Sequence, residues 1–469
     1  MTSIKARLTA MTLSAAALAF VATAAPSLAR ETPPGPAAPK PFTLPPLTEF
    51  TLPNGMKVTM AQHGNVPKVS ILATTRTGNI DDGANVWLAD LTGGLMQKGA
   101  GGRDASQLAE AAAGMGGSLA LSTGVDAATA SIDVLGEFTP QAIGLVADLL
   151  RRPDLKAEEL EKVRADMLRN LTVAKSTPGS VASEAFQAAV YPDHPYGRVF
   201  PTAEQLSGYT LAQVKAFHAA NFGAARTHLY VVGRFDPAAV RTAVETAFGG
   251  WAAGAPPTVL PAPAVRAAKV VLLDRPGAPQ STVLIGRRVA KQGYDLDFRA
   301  TSTLLGGYFS SRITRNIRED KGYTYSPGAA IAQQVQGTTW IEDADISAES
   351  TGPAITEIFK EIRRMQETLP TPAEVQGIKN YMNGTFVIGL SSRDGLAGSL
   401  AGLDVQGLGA DFLNGYVGKV SALTAADFQA AAKRELPVDK LSVVVVGPLA
   451  SVRPQLEKVP EIAGELPAK

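Results

Sequence analysis

Metal or nucleophilic chemistry needs particular side chains at particular spacings, and this chain carries few of them: four histidines and no cysteine in 469 residues. Two histidines four apart on a helix share one face and can grip zinc. His63, His194, His218 and His228 have no such pairing, and no Cys or Glu stands beside them at ligand spacing. His194, in the stretch DHPYG, reads as a structural turn residue, and His218 falls on an amphipathic helix where it reads as a satisfied surface or core residue. Residues 85–102, NVWLADLTGGLMQKGAGG, read as an apolar helix ending in a glycine-rich turn. A catalytic helix would suit that place, but the residue types that perform catalysis are missing from it.

The elements that must position any site are framed by composition. With 44 basic and 43 acidic side chains the chain has neither a basic footprint for nucleic acid nor an acidic tail. Residues 1–29 join a basic start (Lys5, Arg7) to an Ala/Leu-rich run and a small-x-small site at Ser27-Leu28-Ala29, so a secretory signal peptide cut after Ala29 is expected. An uncleaved anchor is the alternative; Thr, Ser and Ala dilute the run, and a cleavage site follows it. The absence of cysteine removes both a disulfide framework and a lipid-modified thiol, so a periplasmic protein without a stable membrane span is expected. Residues 30–46, dense in proline, read as an extended leader.

Beyond the leader the chain repeats itself. Thr210 and Thr424 each open a short amphipathic helix, Gly233 and Gly447 each end the β-rich run that follows, and both pairs are 214 residues apart. Earlier in each copy, VSILATTRTG (69–78) corresponds to STVLIGRRVA (281–290) as a strand. LADLTGGLM and ATSTLLGGYF each read as a helix running into Gly-Gly, with Gly93 and Gly307 again 214 apart. The expectation is α+β: two homologous units, 47–250 and 270–469, each a sheet with helices on one side, joined by an Ala/Pro-rich linker at 251–269. Such halves either face one another across a cavity or pack with no working cleft.

From about Phe50 onward the chain resembles the insulinase/pitrilysin zinc metallopeptidases, which include the mitochondrial processing peptidase and bacterial two-subunit relatives. The landmarks are TLPNGMKV, YPDHPYGR (191–198), YMNGTFVIGLSSRDGLAGSLAG (381–402) and, most specific, LLGGYFSSRITRNIREDKGYTYS (304–326). The resemblance implies two α/β-roll domains forming half of a clamshell chamber. It also implies an H-x-x-E-H zinc helix in the first half and a further glutamate on a later helix. Aligned on the glycine turn, Asp90, Gly93 and Gly94 stand in the first three slots, and Arg169 and Asn170 stand where the later glutamate belongs. None supplies the required groups, so no metal or cofactor is expected in this chain.

The family's other element is an Arg and a Tyr in the second half, which reach the substrate's scissile carbonyl. REDKGYTY supplies Arg318 and Tyr325, with Gly322 breaking the helix between them so that Tyr325 is expected to start the next strand, on the same face as Tyr323. A guanidinium and a phenol are donors suited to a peptide carbonyl and its oxyanion. Read without the family, Arg318 is a charged helix end and Tyr325 a strand core residue. Vacant zinc slots beside an intact Arg/Tyr pair resemble the zinc-lacking member of a two-subunit peptidase. That resemblance implies a homologous H-x-x-E-H partner holding the zinc, with unfolded peptides as substrates. A non-enzymatic scaffold or peptide-binding protein of the same descent is the competing reading, and an independently active peptidase with an unrecognised site is a third.

Overall fold

In the strand THLYVVG, Leu229 and Val231 point into one apolar cluster while Tyr230 and Val232 point into another. In SVVVVG, Val443 and Val445 likewise enter one cluster, and Val444 and Val446 a second. Side chains alternate across a strand, so a strand apolar at every position needs cover on both faces. That requirement organises the molecule, a computed structural model describing residues 42–261, 263–289 and 293–468. The expected signal peptide and the leader as far as Pro41 lie outside the described residues.

The first half contains β1 (Leu47–Thr51), β2 (Lys57–Gln62), β3 (Lys68–Thr75), the short pair β4 (Gly99–Ala100) and β5 (Arg103–Asp104), β6 (Ala120–Thr123), β7 (Ala128–Leu135) and β8 (Thr227–Gly233). The second contains β9 (Val270–Asp274), β10 (Gln280–Arg288), β11 (Gly328–Gln334), β12 (Gly337–Ser347) and β13 (Ser442–Gly447). The sheet orders are β1-β2-β8-β3-β7-β6 and β11-β12-β10-β13-β9. Read from opposite ends they are one topology with β1 added at an edge: β2 runs parallel to β8 as β9 does to β13, and the remaining pairs are antiparallel. The repeat seen in the sequence is therefore a structural duplication. Thr210 caps the helix Leu211–Asn221 with its hydroxyl on Gln213 N, while at Thr424 the Asp427 carboxylate accepts from the Thr424 amide at 2.7 Å.

Each half's own helices pack on one face of its sheet, as expected for the fold class. The opposite faces are covered by exchange, which the sequence reading did not anticipate. Helix Pro178–Val190 of the first half places Ala182, Phe186 and Val190 against Leu284, Val444 and Val446 of the second sheet. Helix Arg393–Val405 of the second half places Leu396, Ala397 and Leu400 against Ala61, Tyr230 and Val232 of the first. Polar contacts join the halves at the same places. Arg393 donates to Asp133 at 2.8 Å, Tyr191 Oη meets Thr339 Oγ1 at 2.6 Å, and His194 Nε2 meets Gln336 Oε1 at 3.0 Å. His194 is thus a turn residue, as expected, and also a bridge between halves.

Residues 251–269 form no helix or strand among those described. The segment is tied down, because the buried Arg226 guanidinium donates to Ala255 O and Pro256 O, each at 2.9 Å, and Arg266 pairs with Asp193.

Candidate functional site

The first-half helix is short and apolar, Leu88–Met96, and its N-terminus is held by a carboxylate rather than by its own cap residue. Trp87 sits in the left-handed region (φ 68°), its amide and that of Ala89 donating to Asp82 at 2.9 and 2.8 Å. The Asn79 amide bridges Asp82 and Asp90, at 3.0 and 2.6 Å. Burial pushes the Asp82 carboxyl up to about 7 despite these donors, and burial also raises Asp90. Asp90 is therefore engaged at the helix entrance by Asn79.

Gly93 and Gly94 lie inside the helix, one turn before its end, where the sequence had suggested that the helix runs out into them. A Cβ on Gly93 would come within 2.5 Å of Thr123 Oγ1, and one on Gly94 within 3.0 Å of Val163 Cγ1. Strand β6 and helix Ala157–Ser176 thus press onto the backbone where a zinc helix would carry its glutamate and second histidine. The slots that looked vacant are filled by packing. Arg169 and Asn170 are exposed on helix Ala157–Ser176, and Arg169 pairs with Asp166. The residues present do not fit zinc: two have no side chain and a third is a cation. Among the described residues no group of three His, Cys, Asp or Glu side chains is gathered for a metal.

In the second half the equivalent helix, Leu296–Ser302, continues into a wide π-type turn, Thr303–Gly307, and leaves the helical path at Tyr308. The chain re-enters a helical segment at Thr314–Asp320. Buried Arg312 fixes this segment through a two-pronged contact with Glu374, at 2.8 and 3.1 Å, and Asn316 donates to Glu357 and Glu361, both at 2.9 Å. Gly322 (φ 66°) reverses the chain, and the Tyr323 amide returns to Ile317 O at 2.8 Å.

Arg318 and Tyr325 are brought together here. The guanidinium stacks over the Tyr325 ring, 4.9 Å from its centroid, and Tyr325 is 78% exposed. Two expectations are corrected. Tyr325 does not start a strand but lies in the bend ahead of β11, and it does not share a face with Tyr323, which packs against the second core. The cause is local. Only Thr324 makes a β-bridge, to Ile346, with its hydroxyl on Asp345 O, so period-two alternation never becomes established. Phe309, 63% exposed, lies on the guanidinium at 4.4 Å and was not singled out from the sequence. Its position directly after Gly306-Gly307-Tyr308, in the most specific block, was the available signal.

His218 is satisfied, as expected, and His228 is also engaged. His218 Nε2 meets Leu150 O at 2.9 Å, and burial lowers its pKa. His228 lies at a cavity of about 750 Å³ between β1, β2 and helix Arg393–Val405, with Thr59 Oγ1 at 2.8 Å, Tyr230 Oη at 2.9 Å and Asp404 at 3.3 Å. None of the sequence-expected site residues lines that cavity.

Residues 60–201 match the family described as Insulinase (Peptidase family M16), and residues 208–382 match the Peptidase M16 inactive domain. The chain belongs to the M16 peptidase family. An uncharacterized zinc protease of Mycobacterium tuberculosis is 28% identical over 289 residues, a match spanning 60% of this M16 chain and 66% of the relative's length. An uncharacterized zinc protease of Bacillus subtilis is 22% identical over 357 residues, 74% of this chain and 85% of its own. The M16 fold is shared with the crystal structure of a peptidase M16 inactive domain from Pseudomonas fluorescens (TM-score 0.79, 24% identity, 86% of this chain and 98% of that one). It is also shared with a protease from Helicobacter pylori (TM-score 0.80, 19% identity, 87% and 100%).

Proposed function

We propose that this chain is the zinc-lacking subunit of a periplasmic two-chain M16 peptidase. It presents Arg318 and Tyr325 to unfolded peptides that a homologous H-x-x-E-H chain, holding the zinc, hydrolyses. The observation that carries this reading is the contrast between the two Gly-Gly regions. The first-half helix is crowded at Gly93 by Thr123 and touched at Gly94 by Val163, and carries no side chain at either place, while the second half displays a guanidinium beside an exposed phenol. Two in-plane donors at an open surface suit a peptide carbonyl whose oxygen gains negative charge during hydrolysis. The names of the relatives, zinc proteases, and the inactive-domain match support assignment to that reaction. Export rests on the composition of residues 1–29, and no helix among the described residues is long and apolar enough to cross a membrane.

The test is reconstitution. The chain is purified from periplasm, its stoichiometric companion identified, and hydrolysis of an internally quenched peptide measured for each chain alone and for the mixture. Hydrolysis is expected only in the mixture, with Arg318→Ala or Tyr325→Phe each costing on the order of 3 kcal/mol of transition-state stabilisation, about a hundredfold in rate. Full activity of both variants, or of the companion by itself, would refute a shared site and favour the scaffold reading.

A further inference from the structure

The exposed large aromatic residues of the described chain are Phe309, Tyr325 and Tyr381, and the first two share one guanidinium. Tyr381 meets Tyr308 with centroids 5.3 Å apart, Phe309 is the next residue along, and Phe309 and Tyr325 both carry the Arg318 guanidinium. A single exposed hydrophobic residue is ordinary, so the weight here rests on what Phe309 touches. Arg318, for its part, has no ion pair among the described residues, whereas Arg312, six residues earlier, is locked to Glu374. What orders Arg318 is therefore two rings rather than a carboxylate.

We propose that Phe309 is a positioning residue. Together with Tyr325 it covers the guanidinium and directs the in-plane N–H groups toward the carbonyl of a bound peptide. The proposal rests on the reading of Arg318 as a substrate donor. Its physical basis is that a guanidinium is planar, stacks on aromatic faces and carries all its donors at its edge. Covering its faces leaves those donors free while restricting the rotamers of a long side chain. A carboxylate partner would occupy the same donors and compete with the substrate. The Phe309 backbone is itself held: Ser311 N returns to Tyr308 O at 3.0 Å, and Ser311 Oγ donates to Thr314 Oγ1 at 2.8 Å. The ring is thereby anchored to the turn that opens the helical segment bearing Arg318.

Two measurements on the full chain test this. In ¹H–¹⁵N spectra of the chain alone, the Arg318 Nε–H resonance, assigned by its disappearance in Arg318→Lys, should be displaced by ring currents. Phe309→Leu, which keeps apolar bulk and loses the ring, should move it toward the value of an unstacked arginine, and Phe309→Tyr should leave it in place. With the zinc-bearing companion and a quenched peptide, Phe309→Leu should lower kcat about tenfold with KM little changed, the signature of a donor out of line rather than a lost binding surface. Phe309→Tyr should retain activity. An unmoved resonance in Phe309→Leu overturns the clamp. A moved resonance with normal kcat in Phe309→Leu, while Arg318→Ala is impaired, overturns the positioning role alone. Full activity in Arg318→Ala overturns both the role and the functional reading beneath it. If Phe309→Leu is unstable, Phe309→Tyr and Phe309→Trp carry the test, and loss of the ring-current shift in both would overturn the clamp.

Discussion

The two Gly-Gly regions stand at corresponding places in a duplicated fold and have opposite fates. In the first half the helix runs straight through Gly93 and Gly94 and its neighbours close on the bare backbone. In the second the helix widens at Thr303–Gly307 and breaks at Tyr308, and Phe309 and Tyr325 stand exposed on either side of a half-buried Arg318 in the sequence. At Gly93 the space beside the helix is occupied by Thr123 and the residue is buried, so that position is part of the core. One half closes over its Gly-Gly pair, and the other opens at it.

Two acids shifted in opposite senses extend the contrast, and pH separates them. Asp82, 5% exposed, has a folded-state pKa of about 7 against an ordinary 3.8, so the folded state holds the proton more tightly. The resulting stabilisation is complete below pH 3.8 and is lost as pH rises through 7, on the order of 4 kcal/mol in all. Urea unfolding followed from pH 4 to 8 should show that decline, and Asp82→Asn, which removes the titrating proton but keeps only one of the two oxygens that the Trp87 and Ala89 amides use, should flatten it at a cost in overall stability. Equal slopes in the two proteins would mean that Asp82 is not the titrating group.

Glu374 in the second half behaves in the opposite sense. Its partner Arg312 and the Thr371 cap, prevailing over burial, hold it down to about 2, against an ordinary 4.5. Its contribution is present above pH 4.5 and is lost as pH falls toward 2; because Glu374 is partly open to solvent, screening reduces it to about 1 kcal/mol. Glu374→Gln should remove that acid sensitivity while lowering stability at neutral pH, since Arg312, with a side chain only 6% exposed, is left without its carboxylate. A neutral-pH stability equal to the parent's would show that the pair contributes nothing.

The remaining contrast is steric. Gly93→Ala should destabilise by about 2 kcal/mol, because its Cβ meets Thr123 Oγ1 at 2.5 Å, whereas Gly384→Ala, on the exposed helix Pro372–Leu390 with nothing within 4 Å, should stabilise by about 0.5–1 kcal/mol. The two changes are chemically identical, so thermal unfolding of both reads packing directly. A neutral Gly93→Ala would reopen the idea of an empty slot.

The duplication was legible because its markers are local: a threonine opening each helix and a glycine ending each following strand report on a few neighbouring residues. Arg318 and Tyr325 were legible through a motif, but Phe309 and the bend at Tyr325 depend on tertiary stacking that no spacing records. The exchanged helices were missed for a related reason. Pro178–Val190 is amphipathic in the ordinary way, and nothing in its periodicity names which sheet it covers. The available sign lay in the sheets. Val443–Val446, four valines in succession, cannot all face one core, and a strand buried on both sides implies a second cover from elsewhere in the chain.

That mutual cover makes the halves interdependent. If one half melts, it withdraws the helix shielding the other's outer face, leaving strands such as β8 or β13 with half of their apolar side chains in water. A partly melted chain thus has no inexpensive resting point. Duplication alone would permit two separate melting transitions; the exchange of helices joins them into one.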